Sequence, residues 1–124
     1  MIGKIYSTTT PFYNRVTRQN EFKNRPVLVI SGPRNNDYTV LPISTITKRE
    51  NLDVDYDILL TPDKYPMLNL KKECYVRTHK QTVFHRANFT KEIGNMKTNY
   101  SELYIDILEK VEEFNKKIMD DALS

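Results

Sequence analysis

Pro26-Val27-Leu28-Val29-Ile30-Ser31 is a continuous apolar run dominated by branched residues. Its length and composition predict a buried strand. Downstream, Gly32-Pro33-Arg34-Asn35-Asn36-Asp37 is dense in turn-forming residues. Tyr38 to Ile46 then reads as a second strand. Pro42 inside it implies a bulge or an edge position, because proline has no N–H to give to a ladder. Upstream, residues 8–25 are rich in Thr, Asn and Arg and lack periodicity. They predict a long loop, a feature that in compact domains is usually functional or mobile. Gly3-Lys4-Ile5-Tyr6-Ser7 predicts a short first strand.

Further along, Asp55 to Leu60 predicts a strand ended by Thr61-Pro62-Asp63. Cys74 to Phe84 alternates, which predicts one strand with Tyr75, Arg77, His79 and Gln81 on an exposed face and Val76, Thr78, Thr82 and Phe84 on the other. Thr90-Lys91-Glu92-Ile93 reads as a helical turn stopped by Gly94. From Asn99, a candidate N-cap with Glu102 three residues on, Tyr100, Leu103, Tyr104, Ile107, Leu108, Val111, Phe114 and Ile118 recur at helical spacing. That stripe predicts core packing. The fold class is therefore mainly β with α: a small antiparallel barrel capped by one long C-terminal helix, in a single domain over 1–124.

At 124 residues the chain can bury a core without disulfides or a structural metal. Cys74 is the single cysteine, which fits a reducing compartment and a cytoplasmic location. The N-terminus lacks the apolar run of a signal peptide, and no stretch is long enough to span a bilayer. The net charge of +3 is unevenly distributed: +5 over residues 1–50, −3 over 51–70, +5 over 71–91 and −4 over 92–124. If the fold joins the two basic regions, a polyanion site results.

Phosphate-loop, H-E-x-x-H, paired C-x-x-C and G-x-S-x-G motifs are all missing, and Cys74, His79 and His85 are too few soft ligands for zinc. No metal or other cofactor is expected. Asp53, Asp55 and Asp57 lack the glycine and closing glutamate of a calcium loop and read as a solvated strand edge.

Arg25-Pro26-Val27-Leu28-Val29-Ile30, then Pro42-Ile43-Ser44-Thr45, then Glu73-Cys74-Tyr75-Val76-Arg77-Thr78-His79-Lys80-Gln81-Thr82-Val83, then Ile93-Gly94-Asn95-Met96 before the helix, follow one another in an order that resembles the MazF/PemK toxins. The resemblance implies an SH3-like β-barrel that dimerises with a second copy. It also implies metal-independent cleavage of single-stranded RNA, by attack of the ribose 2′-OH to give 2′,3′-cyclic phosphate and 5′-OH ends, and an antitoxin whose acidic, partly disordered segment covers the same groove. Carried over residue by residue, it implies Arg25, Ser44 and His79 as catalytic residues. It further implies Thr45 and Arg77 as RNA-binding ones; Tyr75, an aromatic able to stack on unpaired bases, and Arg18, Glu21 and Lys23 of the preceding segment are further RNA-binding candidates. A guanidinium and a hydroxyl suit the charge that builds on phosphoryl oxygens, and an imidazole suits proton transfer. The stretch Arg18-Gln19-Asn20-Glu21-Phe22-Lys23-Asn24-Arg25-Pro26 departs from the family's Gly-Ser-Glu-Gln-x-x-x-Arg-Pro: Asn20 and Glu21 stand where the Glu-Gln pair would. The competing reading is a non-catalytic RNA-binding or protein-interaction module of the same fold. Its gyrase-poisoning version, similar to the CcdB group, would need a C-terminal tryptophan motif, and this chain has no tryptophan.

Overall fold

A computed structural model describes residues 1–124. Seven strands and two helices follow one another as β1 (Lys4–Asn14), β2 (Gln19–Arg34), β3 (Asp37–Ser44), β4 (Asp57–Leu60), β5 (Cys74–Arg77), β6 (Thr82–His85), β7 (Phe89–Asn95), α1 (Met96–Asn99) and α2 (Ser101–Leu123). The strands form one antiparallel sheet in the order β4-β5-β3-β2-β1-β7, with β6 also on β3. It is a curved half-barrel whose concave side is filled by α2.

The apolar run Pro26 to Ser31 lies in the central strand, β2. Leu28 faces the main core with Ile5, Leu41, Ile43, Leu60, Leu68, Val76 and Met96, closed by Leu103, Tyr104, Ile107 and Val111 of α2. Val27 and Val29 face the other way, into a second cluster with Tyr38 and Val40, covered by Phe84 and Phe89. Burial on both faces explains why this strand is uniformly apolar rather than alternating. No helix is long and apolar enough to cross a membrane.

Four local expectations are corrected. Residues 8–25 are not a loop: Thr8–Asn14 and Gln19–Arg25 pair residue for residue as the outer part of the β1–β2 hairpin. Beyond Thr8 this ribbon has no third strand, so neither face is buried against a core and no alternation is written into the sequence. Cys74–Phe84 is not one strand. β5 and β6 pair with the same edge of β3, but their registers are offset by three residues, looped out between them. An odd insertion breaks the alternation of faces. Pro42 falls where β3 passes from β6 to β5 and neither strand needs its missing N–H.

Residues 90–93 are strand, not a helical turn. Gly94 lies within β7 because the 3-10 turn Pro66–Leu68 presses on it; a Cβ there would stand 3.0 Å from the Cα of Leu68 and 3.1 Å from its carbonyl oxygen. Gly94→Ala is expected to cost about 1–3 kcal/mol, as overpacking does, read as a lowered midpoint in urea at unchanged m-value. Finally, Asn99 does not cap the long helix. Asn95 caps α1 through the Thr98 N–H, whereas Tyr100 precedes α2 without a side-chain cap and instead accepts the Met67 N–H on its hydroxyl at 3.0 Å. The buried stripe of α2 holds as far as Val111, with Phe114 half-buried beyond it; Ile118 is exposed.

Candidate nucleic-acid interface

Val27 pairs with Pro42 and Leu28 with Leu41. The same register carried two residues further sets Arg25 opposite Ser44, the last residue of β3. Both line a groove of about 980 Å³, with Lys23, Asn24 and Thr45 beside them. Arg25 is held from behind: Thr8, wholly buried in β1, donates its hydroxyl to the Arg25 carbonyl at 2.8 Å. The backbone is thus fixed while the guanidinium stays exposed.

The rest of the lining comes from the segment after the 3-10 turn and from β7. It contributes Asn69, Lys71, Lys72 and Cys74 on one side and Lys91, Glu92 and Ile93 on the other. The two basic regions of the sequence therefore meet, Lys23 and Arg25 from the first and Lys71, Lys72 and Lys91 from the second. None of these five cations is engaged in an ion pair. The one acid on the wall, Glu92, is bonded to Lys4 at 2.9 Å and to the Tyr6 hydroxyl at 3.3 Å. The Lys4 hydrogen bond, chiefly, holds its carboxyl below the usual range. The groove is thus a concentration of uncompensated positive charge, suited to a polyanion. Burial pushes the Cys74 thiol up to about 11, so it offers no nucleophile here.

The remaining expected site residues are distributed unevenly. Thr45 and Lys23 are in the groove, and Lys23 also sits over the Phe12 ring at 4.5 Å. Arg18 occupies the hairpin turn with positive φ, and Glu21 braces that turn by accepting from Asn14 and Thr17 at 3.1 and 3.0 Å. Tyr75, half-buried between Ser44 and Leu59, is not among the lining residues.

Arg77 and His79 are not brought to the groove. The expected exposed strand face does not exist there, because the looped-out residues turn towards α2. Arg77 instead donates to the Asp57 carboxylate from Nε at 3.1 Å and Nη2 at 3.4 Å, and to the Asn51 carbonyl at 3.1 Å. His79, its side chain 11% exposed, lies 3.8 Å from Asp57 and from Asp53 and packs against Tyr56 and Phe114. Beside it Gln81 reaches Asn115 at 2.7 Å. Of the three aspartates only Asp55 is exposed as on a solvated edge: Asp57, though it opens the edge strand β4, has a fully buried side chain, and Asp53 folds the turn by accepting the N–H groups of Asp55 and Tyr56.

Burial lowers the His79 pKa from its ordinary 6.5; the charges of Asp57 and Asp53 oppose the shift, those of Arg77 and Lys80 add to it. As pH falls through about 6.5 the unfolded chain takes up this proton first, so stability is expected to fall from there down to the lowered value. In thermal melts between pH 7 and pH 5, His79→Gln should lose less stability on acidification than wild type. An equal loss in both would show that His79 does not govern that window.

Sequence reading missed Asn69, which carried no signal, and Lys71, Lys72 and Lys91, whose signal was the +5 charge of residues 71–91.

No curated protein of significant sequence similarity was found. The profile of the family described as PemK-like, MazF-like toxin of type II toxin-antitoxin system matches residues 3–114, which is 112 of the 124 residues. With the half-barrel, the closing helix and the cationic groove in place, the chain belongs to the PemK-like, MazF-like toxins of type II toxin–antitoxin systems.

Proposed function

We propose that this toxin is an endoribonuclease that cleaves single-stranded RNA in the groove between Arg25 and Lys71. The observation that carries the reading is that Arg25 and Ser44 line one groove together with four further cations. The ribose 2′-oxygen attacks the adjacent phosphorus and gives up its proton to solvent water, the P–O5′ bond breaks, and the leaving 5′-oxygen takes a proton back from water, so that a 2′,3′-cyclic phosphate and a 5′-OH remain. The nucleophile belongs to the substrate, so no metal is needed to generate it. Arg25 donates to the phosphoryl oxygens as negative charge accumulates on them, and Ser44 adds a hydroxyl donor. Thr45 extends the same polar edge. Glu92 is the one carboxylate on the wall; because Lys4 and Tyr6 hold it ionised, it is a weak proton acceptor, and charge stabilisation supplies most of the rate. His79, packed against α2, is given no acid/base role. Its function is to brace the β5–β6 excursion.

Family membership brings a cognate antitoxin. In this reading its acidic segment occupies the cationic groove and excludes RNA by competition. A homodimer is the expected assembly.

Purified protein incubated in EDTA with a long single-stranded RNA tests the reading. Discrete fragments with cyclic phosphate ends are expected, and substitution of 2′-deoxy residues in the RNA should abolish them. Intact RNA that is nevertheless retained by folded, antitoxin-free protein would replace the enzyme by a binding module.

A further inference from the structure

The segment carrying Lys71 and Lys72 is built, not loose. Asn69 adopts a left-handed conformation (φ 56°), which asparagine tolerates better than most residues, and its side-chain amide donates to the Ile93 carbonyl of β7 at 2.8 Å. Leu68 before it is wholly buried, Leu70 packs on the core, and Cys74 at its far end is buried. Two exposed lysines are therefore presented from a backbone pinned at both ends and tied to the strand that carries Lys91. They line the same groove as Arg25 and have no acidic partner in the protein.

We propose that Lys71 and Lys72 form a phosphate subsite for the RNA backbone, holding phosphates on the flank of the one that reacts. An ammonium is a point charge that grips phosphate without reading bases. The subsite therefore contributes affinity and register independent of sequence, while Arg25 and Ser44 act on the reacting phosphorus. The pinned segment makes these positioning residues, and Asn69 is what holds them in place. The inference rests on the ribonuclease reading for its substrate, but binding alone tests it.

The experiment pairs two readouts on wild type, Lys71→Ala/Lys72→Ala and, as a control on the outer face of α2, Lys116→Ala. One is steady-state cleavage of an RNA oligonucleotide. The other is the salt dependence of binding to the same oligonucleotide with 2′-deoxy residues throughout, which cannot be cleaved by 2′-OH attack. The double variant should raise KM about tenfold with kcat unchanged. It should weaken binding of the uncleavable strand by the same factor and lower the slope of log K against log salt by about 1.4, at roughly 0.7 for each phosphate no longer neutralised. Thermal melting should be unaltered. Asn69→Ala should reproduce part of the KM effect. A fall in kcat at unchanged KM would place these lysines at the reacting phosphate and overturn the subsite, as would an unchanged salt slope. Wild type that binds but does not cleave, with the slope still falling in the double variant, would sustain the subsite and remove the ribonuclease. Wild type that does neither would remove both.

Discussion

Arg25→Ala is expected to lower kcat/KM for RNA cleavage by about 10²–10³-fold, the range seen when one donor to a developing oxyanion is removed. The larger part should appear in kcat, because the guanidinium meets more charge in the transition state than in the bound substrate. The fold should be indifferent. Arg25 is exposed and makes no ion pair; what holds the strand there is its carbonyl, bonded to Thr8, and alanine retains that carbonyl. Unfolding midpoints within about 0.5 kcal/mol of wild type are therefore expected. Arg25→Lys should fall between, since an ammonium keeps the charge but loses the fork of donors. Cleavage by Arg25→Ala at the wild-type rate would displace the reacting phosphate from this end of the groove.

Asp57→Ala should produce the largest loss of stability, about 2–4 kcal/mol. The carboxylate is fully buried and accepts from Arg77 through two nitrogens and from the Asp53 N–H at 2.8 Å. Removing one member of a buried ion pair typically costs about 3–5 kcal/mol because the other charge is left stranded. Arg77 is 22% exposed and keeps the Asn51 carbonyl, so solvent reduces the penalty. The loss corresponds to roughly 10 °C in Tm for a chain of this size. Asp57→Asn, which retains an acceptor, should cost less. Cleavage measured well below the melting point should change little in either variant, since neither Asp57 nor Arg77 lines the groove. An Asp57→Ala protein as stable as wild type would mean that the network contributes nothing beyond hydrophobic packing.

Where one face or both faces are buried, the sequence states the fold openly. Val27–Ile30, Tyr38–Ile43 and the stripe from Leu103 to Val111 are legible because burial is the force that patterned them. The outer hairpin is illegible for the converse reason: with no core behind Thr10–Lys23, only backbone pairing defines it, and backbone pairing leaves no side-chain signature. The β5–β6 excursion was hidden by coincidence. Thr78 and Thr82 sit on one parity, yet Thr78 is buried by two hydrogen bonds to the Tyr56 carbonyl while Thr82 is exposed. At the groove, Arg25 and Ser44 were reached through the resemblance, which matched their neighbours. Lys71, Lys72 and Lys91 belong to no motif; their charge was visible but not their convergence, which depends on Asn69 tying its segment to β7. His79 and Arg77 misled because a strand face counted from Cys74 cannot reveal that Asp57 lies waiting opposite.

The root of the β1–β2 ribbon separates two properties that evolution can then alter independently. Thr8 locks Arg25 at the point where the ribbon leaves the sheet, and everything beyond, from Thr9 to Asn24, is attached to the rest of the protein only through that root and its own ladder. Lengthening, shortening or recomposing the tip leaves Arg25 where it stands. On the ribonuclease reading proposed above, RNA preference and antitoxin fit would then drift at the tip while the chemistry at Arg25 is inherited unchanged.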